Sequence, residues 1–125
     1  MLKVKIAVAA FLAAVALAFA SAAPEAQTSE MTFKVKSNYQ YKVEFVMYSS
    51  DRKGFQWPAP GRVYMLDDSQ VHTFKLACLG GEKICYGAWV SGNSNRYWGI
   101  GKNNQRCEKC CYTCNHNETP VITLQ

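Results

Sequence analysis

Between residues 41 and 49 the chain reads YKVEFVMYS, and apolar and polar side chains alternate with a period of two. In an extended strand that period puts Val43, Phe45 and Met47 on one face and Lys42, Glu44, Val46 and Tyr48 on the other. The preceding TFKVKS alternates in the same way, and VYML, VHTFKLAC, ICYGAWV, RYWGIGK and TPVITL read as further strands rich in β-branched and aromatic residues. Turn-forming stretches, DDSQ, LGGEK and SGNSN, separate them. A reversal at Gly80-Gly81 predicts that the segments ending in Cys78 and starting at Ile84 form a hairpin. SSDRKGFQWPAPGR, with two prolines and two glycines, predicts a loop, because each proline removes a ladder donor and each glycine loosens the backbone. No window in the exported part keeps apolar residues at i, i+3, i+4 and i+7, so no helix is predicted. The pattern predicts an all-β fold: a small antiparallel β-sandwich or open barrel of about seven strands.

The N-terminus follows another rule. Lys3 and Lys5 precede an apolar run over residues 6 to 20 that ends in Ala20-Ser21-Ala22. A short apolar run of this kind, behind positive charge and before small residues, is a signal peptide, and cleavage is expected after Ala22. The run is shorter than the roughly twenty residues that span a bilayer, so no membrane span is expected. Residues 1–22 are thus a leader, 23–30 a small polar flexible lead-in, and 31–125 a single disulfide-rich β domain.

Composition sharpens this picture in two ways. Part of the 49% apolar content belongs to the leader, and what remains is largely aromatic: Trp57, Trp89, Trp98, seven tyrosines and four phenylalanines. A core of that size must offset roughly 1.5 kcal/mol of conformational entropy per ordered residue, which makes covalent crosslinks useful. After removal of the leader, twelve basic residues stand against nine acidic ones, a mild excess of +3. Nucleic-acid binding is not expected, since it calls for a denser stripe of Lys and Arg.

All six cysteines lie beyond the leader: Cys78, Cys85, and the cluster Cys107, Cys110, Cys111 and Cys114 in CEKCCYTC. An even cysteine count in a short exported chain predicts disulfides. Zinc would favour two C-x2-C knuckles set well apart, whereas these abut; a redox C-x-x-C would favour a helix behind it, and none is predicted. For connectivity, six residues separate Cys78 from Cys85, an even spacing that allows a bond across the expected hairpin. Closing that segment would remove about 2.5 kcal/mol of unfolded-state entropy, against about 3.7 for a bond spanning some thirty residues, so energy alone does not choose. Cys110 and Cys111 should reach different partners, because successive strand residues point to opposite sides. At least one bond from Cys78 or Cys85 to the cluster is favoured, to hold the cluster down.

Catalytic patterns are sparse. His72 follows Asp67, Asp68 and Ser69, but closeness in sequence is not triad geometry, and a turn before a surface histidine accounts for it. GIG at residues 99 to 101 lacks the third glycine and the helix of a dinucleotide site, and a bend accounts for it. Asn117-Glu118-Thr119 matches a glycosylation sequon that a bacterial protein would leave unused. No cofactor is called for. The strongest surface candidate is NSNRYWGIGKNNQR, where Arg96, Lys102 and Arg106 accompany Tyr97 and Trp98, and Asn93, Asn95, Asn103 and Asn104 add amides. Rings that stack and amides that bond hydroxyls suit a polysaccharide, although Trp98 as a core residue is the plainer reading. Trp57, in the long loop, is either a contact residue or a lid over one end of the sandwich.

GEKICYGAW, YWGIG and CEKCCYTC together resemble small secreted cysteine-rich proteins of Gram-negative bacteria, over most of residues 33 to 124. The resemblance implies bacterial export and carries over no catalytic residue. The expectation is a periplasmic or extracellular, non-enzymatic β-sandwich module that binds a protein partner or an envelope polysaccharide, with Trp57, Arg96, Tyr97 and Trp98 as its contact residues. The alternative is a metal-handling or thiol-redox protein that uses Cys107, Cys110, Cys111 and Cys114.

Overall fold

A computed structural model describes residues 27–125. The leader predicted over residues 1–22, and residues 23–26 of the lead-in, lie outside the described residues. Nine strands form within them: β1 (Thr28–Ser37), β2 (Val43–Ser49), β3 (Gln56–Trp57), β4 (Tyr64–Leu66), β5 (Val71–Leu79), β6 (Lys83–Val90), β7 (Asn93–Gly99), β8 (Cys111–Thr113) and β9 (Asn117–Leu124). The described residues contain no helix that is long and apolar enough to cross a membrane.

The strands make two sheets, one ordered β5-β1-β9 and the other β3-β2-β6-β7, with β4 also on β2 and β8 also on β6. β3 and β4 share one edge of β2, while β7 and β8 share the far edge of β6. The period of two works as expected. Met31, Phe33 and Val35 of β1 face Val43, Phe45 and Met47 of β2 across a common core that includes Leu66, Leu76, Ile84, Ala88 and Leu124. Rings cross the gap between sheets: Phe45 stacks on Phe74 at 5.7 Å, and Phe33 meets the edge of Tyr112 at 5.5 Å. This is a sandwich, not a closed barrel, and burying each such side chain contributes about 1.5–3 kcal/mol.

Four details depart from the sequence reading. β1 starts at Thr28, and Thr28 to Glu30 pair with Leu79 to Ala77, so the end of the expected lead-in belongs to the sheet. β9 runs parallel to β1, which makes the smaller sheet mixed. There the ladder slips around Pro120, which has no N–H, and the Lys34 N–H donates instead to the buried Thr119 hydroxyl at 3.0 Å. Within the long Pro- and Gly-containing segment Gln56 and Trp57 pair with β2, and β8 sits inside the cysteine cluster; both strands are too short to show a period.

The fourth concerns the Gly80-Gly81 reversal. It turns the chain, but β5 stays with β1 and β6 joins β2, so no hairpin forms. Separating the two strands lets the apolar face of β5, Leu76 and Cys78, bury against that of β6, Ile84 and Ala88, across the core.

Candidate functional site: a groove on the outer face of the larger sheet

The same alternation sorts the cysteines. Cys78 faces into the sandwich and Cys85 faces out, so they cannot meet. Cys78 bonds Cys114, Cys85 bonds Cys111 directly across the β6–β8 ladder, and Cys107 bonds Cys110. The local Cys78–Cys85 bond is therefore excluded, and both residues are tied to the cluster. No cysteine is free, and among the described residues no group of three His, Cys, Asp or Glu side chains could hold a metal. With all six sulfurs in crosslinks, none is available as a metal ligand.

Trp57 is 7% exposed, its Nε1–H donates to the Ala77 carbonyl at 2.9 Å, and Phe55 packs against it edge-on at 5.1 Å. It packs in the core, and little of its surface is left for a partner. Arg96, Tyr97 and Trp98 are divided by the pleat of β7. Trp98 turns to the core side, donates to the Gln125 carbonyl at 3.0 Å and meets Tyr39 at 5.2 Å, with the Arg96 guanidinium 5.0 Å from its ring. Tyr97 points the other way, opposite Trp89 and over Gly101. His72 pairs with Asp68 at 2.7 Å on an exposed edge.

What the sequence reading did not locate is a groove on the outer face of the larger sheet. After β7 the chain leaves the ladder over residues 100 to 110 and rejoins it at β8. This excursion returns over the sheet, where Ile100 and Cys110 bury against Cys85 in a second small apolar cluster. Its close approach requires glycine, since a Cβ on Gly87 would run into the Gly101 carbonyl. Lys102, Asn103 and Asn104 form one wall of a cleft of about 650 Å³, and Tyr48, Ser50, Asp51 and Lys53 the other. A second cleft of about 330 Å³ continues along β2 past Glu44, Gln56 and Trp89, and Tyr48 and Lys102 line both.

The wall opposite the excursion is held from behind by a buried carboxylate. Glu82, 2% exposed, accepts from Arg52 Nε at 2.6 Å, Arg52 Nη2 at 2.8 Å, the Ser49 hydroxyl at 2.5 Å and the Leu79 N–H at 2.9 Å. Ser49 Oγ in turn accepts from the Asp51 and Arg52 N–H groups, and the Arg52 guanidinium lies 3.7 Å from the Phe55 ring centre. Burial pushes the Glu82 carboxyl up, but the hydrogen bonds from Arg52, Leu79 and Ser49 and the Arg52 charge outweigh it and hold it below its ordinary value. Burial raises the Tyr48 phenol, so that it stays neutral on the groove wall.

Comparison with family models, curated proteins and solved structures found no match. The groove must therefore be interpreted from its own chemistry. Lys102, Asn103 and Asn104 belong to the NSNRYWGIGKNNQR stretch singled out by its amides and charge. The Tyr48 to Lys53 wall had no comparable signal, because nothing in LGGEK reveals that its glutamate is buried and organises a loop thirty residues earlier.

Proposed function

We propose that the protein is an exported, non-enzymatic binding module of the bacterial envelope or its surroundings, and that the outer groove holds a segment of polysaccharide. The observation that carries this reading is the pair of neighbouring clefts that share Tyr48 and Lys102, an extended surface suited to a chain. Cavity sizes in this range accommodate ligands, and a wall braced by Glu82 enters binding already ordered, which lowers the entropy lost on association. Three disulfides agree with an oxidising compartment outside the cytoplasm, and the leader over residues 1–22 would deliver the chain there.

A second reading has its own observation. Tyr39, Arg96 and Trp98 cluster beside Tyr41, which is 62% exposed, and this residue mixture is typical of protein–protein hot spots. A protein partner in the envelope would dock there.

Adsorption of the purified chain to envelope polysaccharide separates the two. Asn103→Ala with Lys102→Ala should weaken adsorption and Arg96→Ala should not. The reverse result moves the contact to the Tyr39–Trp98 patch, and no adsorption by the unmodified chain removes the groove reading.

A further inference from the structure

The charges lining the larger cleft are unequal, and this identifies its ligand more closely. Lys53 and Lys102 line the larger cleft, and the ion pairs among the described residues are Lys34–Glu118, Arg52–Glu82, His72–Asp68 and Lys75–Glu30. Among the described residues neither ammonium group is paired with a carboxylate. The Asn103 and Asn104 amides and the Tyr48 hydroxyl, which can donate and accept, make no side-chain hydrogen bond among the described residues. Against them stands one carboxylate in the larger cleft, Asp51, whose Oδ2 already accepts the Lys83 N–H at 2.9 Å, while Glu44 lies in the smaller cleft. Ser50 Oγ lies 3.3 Å from Cys85 Sγ, and Ser49 Oγ is taken up by Glu82 and its own loop. The larger cleft therefore carries an excess of positive charge, two ammonium groups against one carboxylate.

We infer that the groove binds an acidic polysaccharide, with sugar-ring carboxylates placed between Lys53 on one wall and Lys102 on the other, and hydroxyls placed against Asn103 and Asn104. This rests on the groove reading above and adds the charge of the ligand to it. The two lysines come from different segments, the loop after β2 and the excursion after β7, so only the folded chain brings them to one cleft. Lys102 also sits 5.9 Å from the centre of the Trp89 ring, which steers its ammonium group along the groove. Exposed charge pairs are weak singly and screened by salt, so a polymer that repeats its carboxylates gains from several contacts in succession.

The test is titration calorimetry of the full chain against polygalacturonate, neutral dextran and polyglutamate at low and at high salt. Polygalacturonate should bind, weaken with salt, and lose about tenfold in affinity on Lys53→Gln with Lys102→Gln. Lys36→Gln, on the opposite sheet, should change nothing, and thermal midpoints should stay level because both groove lysines are exposed. Equal, salt-insensitive binding of dextran overturns the acidic inference and leaves the groove reading standing. Binding of polyglutamate without polygalacturonate overturns the sugar, and binding of none of the three overturns both readings.

Discussion

Cys111 and Cys114, three positions apart, point to opposite sides of the larger sheet: Cys111 bonds Cys85 on the outer face, and Cys114 bonds Cys78 of the other sheet within the core. One bond ties the cluster to its own layer, while the other ties the layers together. Their loops span 26 and 36 positions, against 3 for Cys107–Cys110. Chain-entropy arithmetic assigns these about 3.6, 3.8 and 1.9 kcal/mol. Paired Cys→Ala replacements should lower urea-unfolding stability in that order of size, with Cys107/Cys110 the mildest. A Cys107/Cys110 loss as large as that of Cys78/Cys114 would refute this ranking.

The bonds should also differ in how readily they are reduced. Cys78 and Cys114 are 2% and 0% exposed, whereas Cys107 is half-buried on the excursion, where a reductant can approach its sulfur. Under graded dithiol, alkylation followed by peptide mass spectrometry should find label on Cys107 and Cys110 before Cys78 and Cys114. Label on Cys78 or Cys114 first would mean that access does not govern reduction here.

Glu82 makes stability depend on acid. Its carboxyl titrates below the ordinary 4.5 in the folded chain, so the unfolded chain takes up a proton at a pH where the folded chain does not. Its contribution is therefore complete above about pH 4.5 and is lost as pH falls through the lowered folded value. Glu82→Ala leaves the Leu79 N–H and the Arg52 guanidinium without their partner and should cost about 3 kcal/mol, the low end for a buried pair because Arg52 keeps contact with water. Glu82→Gln should start less stable at pH 7 and show a flatter decline below pH 4.5 in thermal melts. An acid limb identical to that of the unmodified chain would show that other carboxylates cause it.

Much of the fold was legible because alternation is a local property. The stretch from Val43 to Tyr48 could be assigned to two faces from its residues alone, and the structure keeps both assignments. What was not legible depends on pairing. The Gly80-Gly81 turn is equally compatible with a hairpin and with a step between layers, and only the second buries Leu76 against Ile84. The cysteine pairing followed from that choice: on opposite faces, Cys78 and Cys85 each needed a partner of matching parity, which Cys114 and Cys111 supply. The groove was legible by half. Lys102, Asn103 and Asn104 stood out by composition, whereas the facing wall depends on a long-range hydrogen-bonded carboxylate that leaves no local pattern.

The excursion offers a last test, through Gly87. A Cβ there would meet the Gly101 backbone, and β6 cannot yield because β2 holds it on one side and β7 and β8 on the other. Gly87→Ala should therefore lift residues 100 to 110 from the sheet, at a cost of about 1–3 kcal/mol typical of overpacking. The Ile100 and Gln105 amides, which donate to Tyr86 O and Ile100 O, should then exchange hydrogen faster, and groove binding should weaken. Gly92→Ala provides the contrast. Gly92 has a φ of 86° in a turn with open space around it, so a side chain strains the backbone there without touching the excursion. It should lower the melting temperature while exchange at Ile100 and Gln105 stays slow. Unchanged exchange in Gly87→Ala would mean that the excursion is held by Ile100 and Cys110 alone, with its glycine contact dispensable.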